Sequence, residues 1–282
     1  MANMNEKVIQ ANIDVHTRLA TEYNKSEPHF RQENIAKITD RFARIAEQTK
    51  ATRQLDLGCG TGFMINIGKK FVKDIVGVDV TQAMMDQVDH SGDAKIKLIR
   101  GDTGTFVDEN GTFDIVTAYS FLHHLFDIRP TLKTAYDSLR KDGRFYADLE
   151  PNAAYWEAIG TVARSDRNDP IIAREIEQVT YKDEDIEKQF GVDTETFNHA
   201  EYNKNIAGGF HETQLRDDLL ATGFSRVEIF HQWFLGEGFL INDESMEKEE
   251  RFRSAAVMSQ MLQRVMPLSR HLFKYIGFYA TK

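Results

Sequence analysis

Cysteine, proline and tryptophan are scarce in this sequence of 282 residues, which contains one, five and two of them. The single cysteine, Cys59, excludes an internal disulfide bond and disfavours a cysteine-rich metal site. No apolar run approaches the roughly 20 residues that cross a bilayer, and the first residues have no apolar segment like that of a secretory signal. We therefore expect a cytoplasmic protein with no membrane partner.

Positive charge is also in short supply, because 35 basic residues face 44 acidic ones and the net charge is -9. Such a chain attracts phosphate backbones weakly, so we expect no nucleic-acid partner. Apolar residues make up 41% of the chain and charged residues 28%, as in ordinary globular proteins. A small-molecule partner is therefore favoured.

Short apolar runs alternate with helical stretches in the first half of the chain. The runs predict strands at 54–57, 75–80, 96–100, 113–119 and 143–149, with helices at 63–71, 81–89 and 121–139. Two further helices are predicted before them, at 7–23 and around 35–45. The alternation of strand and helix predicts an α/β fold with a parallel, doubly wound sheet of buried strands.

The pattern changes after Pro151, where charged and aromatic residues predict a mostly helical insertion as far as residue 208. Beyond it we predict a helix at 211–222, a strand at 226–234, a charged helical insert at 243–269 and a last strand at 275–281. Four segments result. They are an N-terminal helical cap at 1–50, a core at 51–150, a helical lid at 151–208 and the rest of the core at 209–282.

The stretch LDLGCGTGF at 55–63 contains three alternating glycines, Gly58, Gly60 and Gly62, shortly after Asp56. Glycine permits positive φ and lets a ligand lie against the backbone, so the loop predicts a binding site. The spacing differs from the G-x-G-x-x-G of dinucleotide-binding folds, which disfavours an NAD-dependent oxidoreductase. The stretch resembles motif I of class I S-adenosylmethionine-dependent methyltransferases, an acidic residue followed by LGCGTG.

The resemblance implies a Rossmann-like sheet of seven strands, with the last strand between the fifth and the sixth. It also implies S-adenosylmethionine as cofactor and S-adenosylhomocysteine as product. Asp79 ends the second predicted strand, where a carboxylate can accept hydrogen bonds from both hydroxyls of a ribose. By resemblance, Asp102 accepts from the adenine amino group, beside Thr103, and Val80 contacts the adenine face.

Two tyrosines complete the cofactor site that the resemblance implies. Tyr119 ends the fourth predicted strand, where backbone carbonyls would bind the amino group of the methionine moiety. Tyr23, in the leading helices, would cover the methionine carboxylate.

Methyl transfer to a hydroxyl or an ammonium also needs a base, and histidine titrates closest to neutrality. His123 and His124 follow the fourth strand at the edge where open α/β sheets bind ligands. Either a catalytic or a structural role is open for them, with His124 favoured near the methyl group. Asp148 and Glu150 end the fifth strand, alternating in direction with Leu149, and Glu150 is a second candidate for proton transfer.

Three residues of the predicted lid, Tyr155, His199 and Tyr202, are candidates for binding the acceptor. Gly208 and Gly209 follow as a potential hinge, although a plain helical cap is an alternative reading of this segment. No His-rich spacing predicts a metal site. A homodimer is left open by the sequence.

The sequence therefore predicts an enzyme that methylates an oxygen or nitrogen of a small molecule. Two other classes stay open. One is an RNA or protein methyltransferase, which the net negative charge disfavours. The other is a non-catalytic protein that binds S-adenosylmethionine, which the intact glycine loop cannot exclude.

Overall fold

The computed structural model describes residues 2–107, 111–163, 169–177 and 183–282. Parts of the predicted helical insertion, 164–168 and 178–182, lie outside these residues. The seven strands are β1 (Arg53–Leu57), β2 (Asp74–Asp79), β3 (Lys95–Arg100), β4 (Phe113–Tyr119), β5 (Leu139–Pro151), β6 (Arg226–Phe234) and β7 (Phe273–Thr281).

Helices flank both faces of this sheet. In the first half they are α1 (Ala2–Leu19), α2 (Tyr23–Ser26), α3 (Gln32–Thr49), α4 (Phe63–Gly68), α5 (Gln82–Met85) and α6 (Arg129–Ser138). In the second half they are α7 (Ala153–Ala163), α8 (Pro170–Glu177), α9 (Asp183–Phe190), α10 (Thr194–Ala200), α11 (Glu212–Thr222), α12 (Glu237–Ile241) and α13 (Lys248–Arg264).

The strand order is β3-β2-β1-β4-β5-β7-β6. The first five strands pair in parallel, and β7 pairs antiparallel with both β5 and β6. The predicted doubly wound sheet, with its last strand between the fifth and the sixth, is confirmed. Because the parallel strands all end at one edge, their following loops meet there and can form a ligand site.

Two apolar clusters fix the sheet between its helical layers. One includes Phe145, Ala147 and Leu132 of α6, and the other includes Tyr146, Phe42 of α3 and Met64 of α4. Consecutive residues of β5 thus alternate between the two faces, as a strand buried on both sides requires.

Several predicted elements differ in length or character. The first helix ends at Leu19, whose carbonyl accepts from the N–H of Glu22, rather than at residue 23. The helix predicted at 121–139 is a short 3₁₀ turn at Leu122–His124 followed by α6, which has Pro130 in its first turn. β3 is not buried, because it lies at the edge of the sheet and alternates between exposed and half-buried residues.

A third apolar cluster joins the N-terminus to the lid. Ala11 and Val15 of α1 pack against Ile186 and Phe190 of α9 and Phe197 of α10. The cap and the lid predicted from the sequence therefore pack on each other at the ligand edge of the sheet. The division of the chain into four segments remains a prediction. Over the described ranges, no helix is both long and apolar enough to cross a membrane.

Candidate active site

A cavity of about 380 Å³ lies at the carboxyl edge of the sheet. Its size is within the range of small-molecule sites. It is bounded by the glycine loop after β1, the ends of β2 and β4, and α1. The charged, polar and aromatic side chains that line it include Asn12, His16, Tyr23, His29, Asp79, Asp102, Thr103, Tyr119, Phe121 and His124.

The glycine loop brings bare backbone to the cavity wall. Gly58, Gly60 and Gly62 all have positive φ, at 70°, 48° and 88°. A Cβ on Gly58 would lie 2.0 Å from the ring of Phe121, whereas one on Gly60 would meet nothing closer than 3.6 Å. Glycine at 58 is thus required by sterics as well as by φ, and the backbone at Gly60 is open to a ligand.

Asp79 lies at the end of β2, and each of its carboxylate oxygens accepts one hydrogen bond from the backbone. Its Oδ2 accepts from the N–H of Gly60 at 2.9 Å, and its Oδ1 accepts from the N–H of Thr81 at 2.8 Å. Burial raises the pKa of Asp79, while these two donors oppose the shift. Each oxygen retains a lone pair, so the carboxylate can accept further hydrogen bonds from a ligand in the cavity.

Glu150 fixes the turn that carries the two histidines. Its Oε1 accepts from the N–H groups of Phe121 and Leu122, at 3.0 and 2.9 Å. Its Oε2 accepts from the N–H of His123 at 3.0 Å and lies 2.8 Å from Nδ1 of the same residue. Because Glu150 is fully buried, these contacts satisfy a carboxylate that would otherwise be costly to bury.

A bulge in β5 separates Glu150 from Asp148. The register against β7 shifts between Ala147 and Glu150, and Leu149 has a φ of 62°. The predicted strict alternation about Leu149 is therefore wrong. Asp148 pairs with Arg41 of α3, with 2.6 Å between Oδ2 and Nη1, whereas Glu150 reaches the histidine turn.

His124 projects into the cavity, and the lid contacts it from behind. Its Nδ1 lies 2.7 Å from the carbonyl oxygen of Ala200, at the end of α10, and 3.5 Å from Oε1 of Glu201. Burial lowers the pKa of His124 well below its usual value, and the neighbouring His123 and His16 lower it further. The ring is therefore neutral near pH 7 and can accept a proton.

Comparisons with known proteins agree with this geometry. The family described as "Methyltransferase domain" matches residues 55–147. The uncharacterized methyltransferase YcgJ of Bacillus subtilis is 28% identical over 145 residues, and the match covers 46% of this chain and 56% of YcgJ. The chain thus spans little more than half the length of that relative. Residues 55–147 thus form a class I S-adenosylmethionine-dependent methyltransferase domain.

Solved structures show the same fold over most of the chain. A methyltransferase from Archaeoglobus fulgidus has a TM-score of 0.51 at 17% identity, covering 88% of this chain and 94% of its own. One from Mesorhizobium loti also has a TM-score of 0.51, at 16% identity, with coverages of 86% and 97%. The seven-stranded sheet is that of the Rossmann-like methyltransferases, and S-adenosylmethionine is the cofactor of this domain.

Most of the residues predicted to bind the cofactor line one cavity. These are Gly58, Gly60, Asp79, Val80, Asp102, Thr103, Tyr119 and Tyr23. Asp56 and Gly62 do not. Asp56 is buried behind the glycine loop. Its Oδ1 accepts from the hydroxyl of Thr117 at 2.7 Å, and burial raises its pKa to about 7. Gly62 lies at the start of α4.

The residues predicted for catalysis and acceptor binding are divided. His124 lines the cavity of the methyltransferase domain, whereas His123 and Glu150 lie behind it. Tyr155 is fully buried outside this cavity, and its hydroxyl donates to Oε2 of Glu175 at 3.0 Å.

The other two acceptor-binding candidates also lie outside the cavity lining. Tyr202 packs edge-on against Phe126, a lining residue, with 5.1 Å between ring centroids. His199 is half-buried in the last turn of α10.

One group among the described residues has a composition that suits a metal ion. His123, His124 and Glu201 can each bring one ligand atom within 4.8 Å of the others. Each already has a protein partner, however. Nδ1 of His124 faces the Ala200 carbonyl, and Oε2 of Glu201 accepts from Nζ of Lys204 at 2.9 Å. The sequence-based expectation of no metal site stays a prediction.

Sequence reasoning missed the contacts that Asn12 of α1 and the backbone of the lid make with the histidine turn. Nδ2 of Asn12 donates to the carbonyls of Val8 and His124, at 2.9 and 3.0 Å, and so ties α1 to the histidine turn. The ring of His16 meets that of His124 edge-on at 4.9 Å. An isolated asparagine in an amphipathic helix gives no signal of such a contact.

Proposed function

We propose that the protein transfers the methyl group of S-adenosylmethionine to an oxygen or nitrogen of a small-molecule acceptor. One observation carries the proposal. The glycine loop and Asp79, which suit the donor, and His124, which suits the acceptor, line a single cavity. The cavity is covered by α1, whose Asn12 contacts the histidine turn, so the reacting groups can be shielded from water.

The residues present fit the cofactor. Gly60 offers backbone without a side chain, and the carboxylate of Asp79 has free lone pairs for ribose hydroxyls. Asp102 lines the same wall, with its Oδ1 held 2.8 Å from the N–H of Gly104. When bound, S-adenosylmethionine supplies an activated methyl group on a sulfonium. The work left to the protein is mainly alignment of the acceptor and exclusion of water.

His124 can take the proton that the acceptor must lose. Its Nδ1 is turned to the Ala200 carbonyl, which leaves Nε2 as the second ring nitrogen, and the ring is neutral because burial lowers its pKa. Asp79 is further along the same cavity and holds the donor end. His124 is thus the catalytic candidate that the geometry favours over His123, whose Nδ1 faces Glu150.

A small acceptor is favoured over a macromolecule. The net charge of -9 opposes an RNA backbone, and the cavity of about 380 Å³, which α1 helps to line, has the size of a small-molecule site.

The first test is calorimetric titration with S-adenosylhomocysteine, with NAD as the control ligand. We expect binding of the former alone. The second test incubates the protein with methyl-labelled S-adenosylmethionine and a panel of small hydroxyl and amine compounds, together with RNA and protein fractions. Label in a small molecule supports the proposal, whereas label only in RNA or protein, or binding without any transfer, contradicts it.

With an acceptor identified, His124→Gln should lower kcat by about 100-fold or more, the usual contribution of a positioned base. Affinity for S-adenosylhomocysteine should stay within about twofold. His90→Gln is the matched control, because His90 is exposed and outside the cavity lining. An unchanged kcat in His124→Gln would contradict its role as the base and indicate that His124 is structural.

A further inference from the structure

We propose that the lid sets the proton position on His124, so that this histidine becomes a usable base only when the lid is closed. The inference rests on the proposed function above. It concerns Ala200 and Glu201, which act through His124 and are positioning residues. In the closed arrangement, the proton sits on Nδ1 and the lone pair of Nε2 is available to the acceptor.

The first argument is the pair of atoms at Nδ1. A ring nitrogen 2.7 Å from a carbonyl oxygen must carry a hydrogen, because two lone pairs at that distance would repel. The carbonyl belongs to Ala200, which is fully buried at the end of α10. In a neutral imidazole, a proton on Nδ1 leaves Nε2 bare. The backbone of the lid therefore selects the tautomer.

The second argument is the charge beside the ring. Oε1 of Glu201 lies 3.5 Å from Nδ1 of His124, and Oε2 lies 3.8 Å from Nε2 of His123. Burial alone would raise the pKa of Glu201, but the positive charge of Lys204 holds it below its usual range, so the group is a carboxylate. A negative charge near Nδ1 favours the proton there and stabilises the ring after Nε2 takes a second one.

Among the residues that the structure describes, the groups that face His124 come from three elements, and the lid supplies the hydrogen-bond acceptor at its ring. His16 of α1 contacts the ring edge-on, and His123 lies beside it with 4.1 Å between centroids. Asn12 donates to the backbone carbonyl of His124 rather than to its ring. If the lid moves away, the ring loses both the carbonyl and the carboxylate. A free neutral imidazole prefers its proton on Nε2, which would remove the base.

The chemical step then balances. Nε2 of His124 takes the proton from the acceptor hydroxyl or ammonium, and the freed lone pair forms a bond to the methyl carbon. The carbon–sulfur bond breaks, and its electron pair returns to sulfur to give S-adenosylhomocysteine. The proton remains on a ring that Glu201 neutralises, and it leaves to water when the lid opens.

Long-range ¹H–¹⁵N NMR correlations distinguish the two tautomers directly and need no acceptor. In the wild-type protein with S-adenosylhomocysteine, we expect His124 to carry its proton on Nδ1. A proton on Nε2 would overturn the proposal, whatever the enzyme methylates. Failure of the proposed function would appear separately, as no binding of S-adenosylhomocysteine or no transfer of label.

A lid variant tests the dependence on closure. Phe197→Ala removes a buried ring from the cluster that joins α10 to α1 and lies outside the two sheet clusters, so the sheet should fold. We expect the Nδ1 tautomer to fall to a minority while hydrogen exchange rises over 194–206. Faster exchange with an unchanged tautomer would refute the proposal.

If Phe197→Ala does not raise hydrogen exchange over 194–206, Gly209→Val is a second way to open the lid. A Cβ there would lie 2.9 Å from the backbone of Pro151 and Ala153. The same tautomer shift is expected, and its absence in an opened lid would again refute the proposal. The matched control is Glu195→Gln, which removes an exposed carboxylate from the first turn of α10 and should leave the tautomer unchanged.

Discussion

Replacing Asp79 with asparagine tests the donor end of the cavity most directly. The carboxylate accepts from the N–H groups of Gly60 and Thr81 with different oxygens. Asparagine keeps one acceptor oxygen and replaces the other with an NH₂ group, which would face an N–H donor. One backbone donor therefore loses its partner, and the ligand loses a charged acceptor.

The expected loss follows from these contacts. A hydrogen bond to a charged group contributes about 2–3 kcal/mol, which corresponds to a roughly 30- to 150-fold weaker Kd for S-adenosylhomocysteine. Calorimetry measures the change, and thermal unfolding without ligand measures the accompanying loss of stability. The matched control is Asp86→Asn, because Asp86 is an exposed carboxylate just after α5 that accepts from Gln82.

Two results would refute the reasoning. The first is a Kd for Asp79→Asn within about twofold of the wild-type value, which would remove Asp79 from ribose binding. The second is an equal loss of affinity in Asp86→Asn, which would indicate a general effect of charge rather than a contact. A variant that is unfolded without ligand would be replaced by Asp79→Glu, which keeps the charge but displaces the oxygens.

Three further predictions concern stability. Burial lowers the pKa of His29 to about 3, so below pH 6.5 the unfolded chain takes up a proton that the folded chain does not. This difference should lower the free energy of unfolding by about 2 kcal/mol between pH 7.5 and pH 5. In denaturant titrations, His29→Gln should not show this pH-dependent fall in the free energy of unfolding. Gly58→Ala should cost about 2 kcal/mol or more, because its Cβ would overlap the ring of Phe121. Lys50→Gly should stabilise the fold by about 0.5–1 kcal/mol in thermal unfolding, because Lys50 ends α3 with a φ of 49°.

The sheet could be predicted because its signals are local. Each strand is a short apolar run, and the glycine loop is a contiguous stretch of nine residues, 55–63. Strand ends then place Asp79 and Asp102 at one edge without any knowledge of long-range contacts. Where local patterns misled, tertiary contacts were the reason. The Leu149 bulge in β5 turned Glu150 away from the direction that simple alternation predicts.

The acceptor end could not be predicted in the same way. The contact between Ala200 and His124 joins positions 76 residues apart and uses a backbone carbonyl, which no residue type reveals. The contact between Asn12 and His124 spans 112 residues. Tyr155 was chosen for its aromatic ring, but the ring fills a buried site beside Glu175. The sequence around a polar aromatic residue does not show whether its ring packs in the core or binds a ligand.

The two ends of the cavity also differ in how they are built, and this bears on the acceptor. The family match spans 55–147, which contains the glycine loop, Asp79, Asp102 and both histidines. α1 and α10, which close the acceptor end, lie outside that range. The residues proposed to bind the donor thus follow strands of the sheet, whereas the acceptor contacts that we propose involve helices that pack on each other and on α9. We therefore expect substitutions that change the choice of acceptor to lie mainly in residues 2–30 and 194–210, beside His124 of the matched domain.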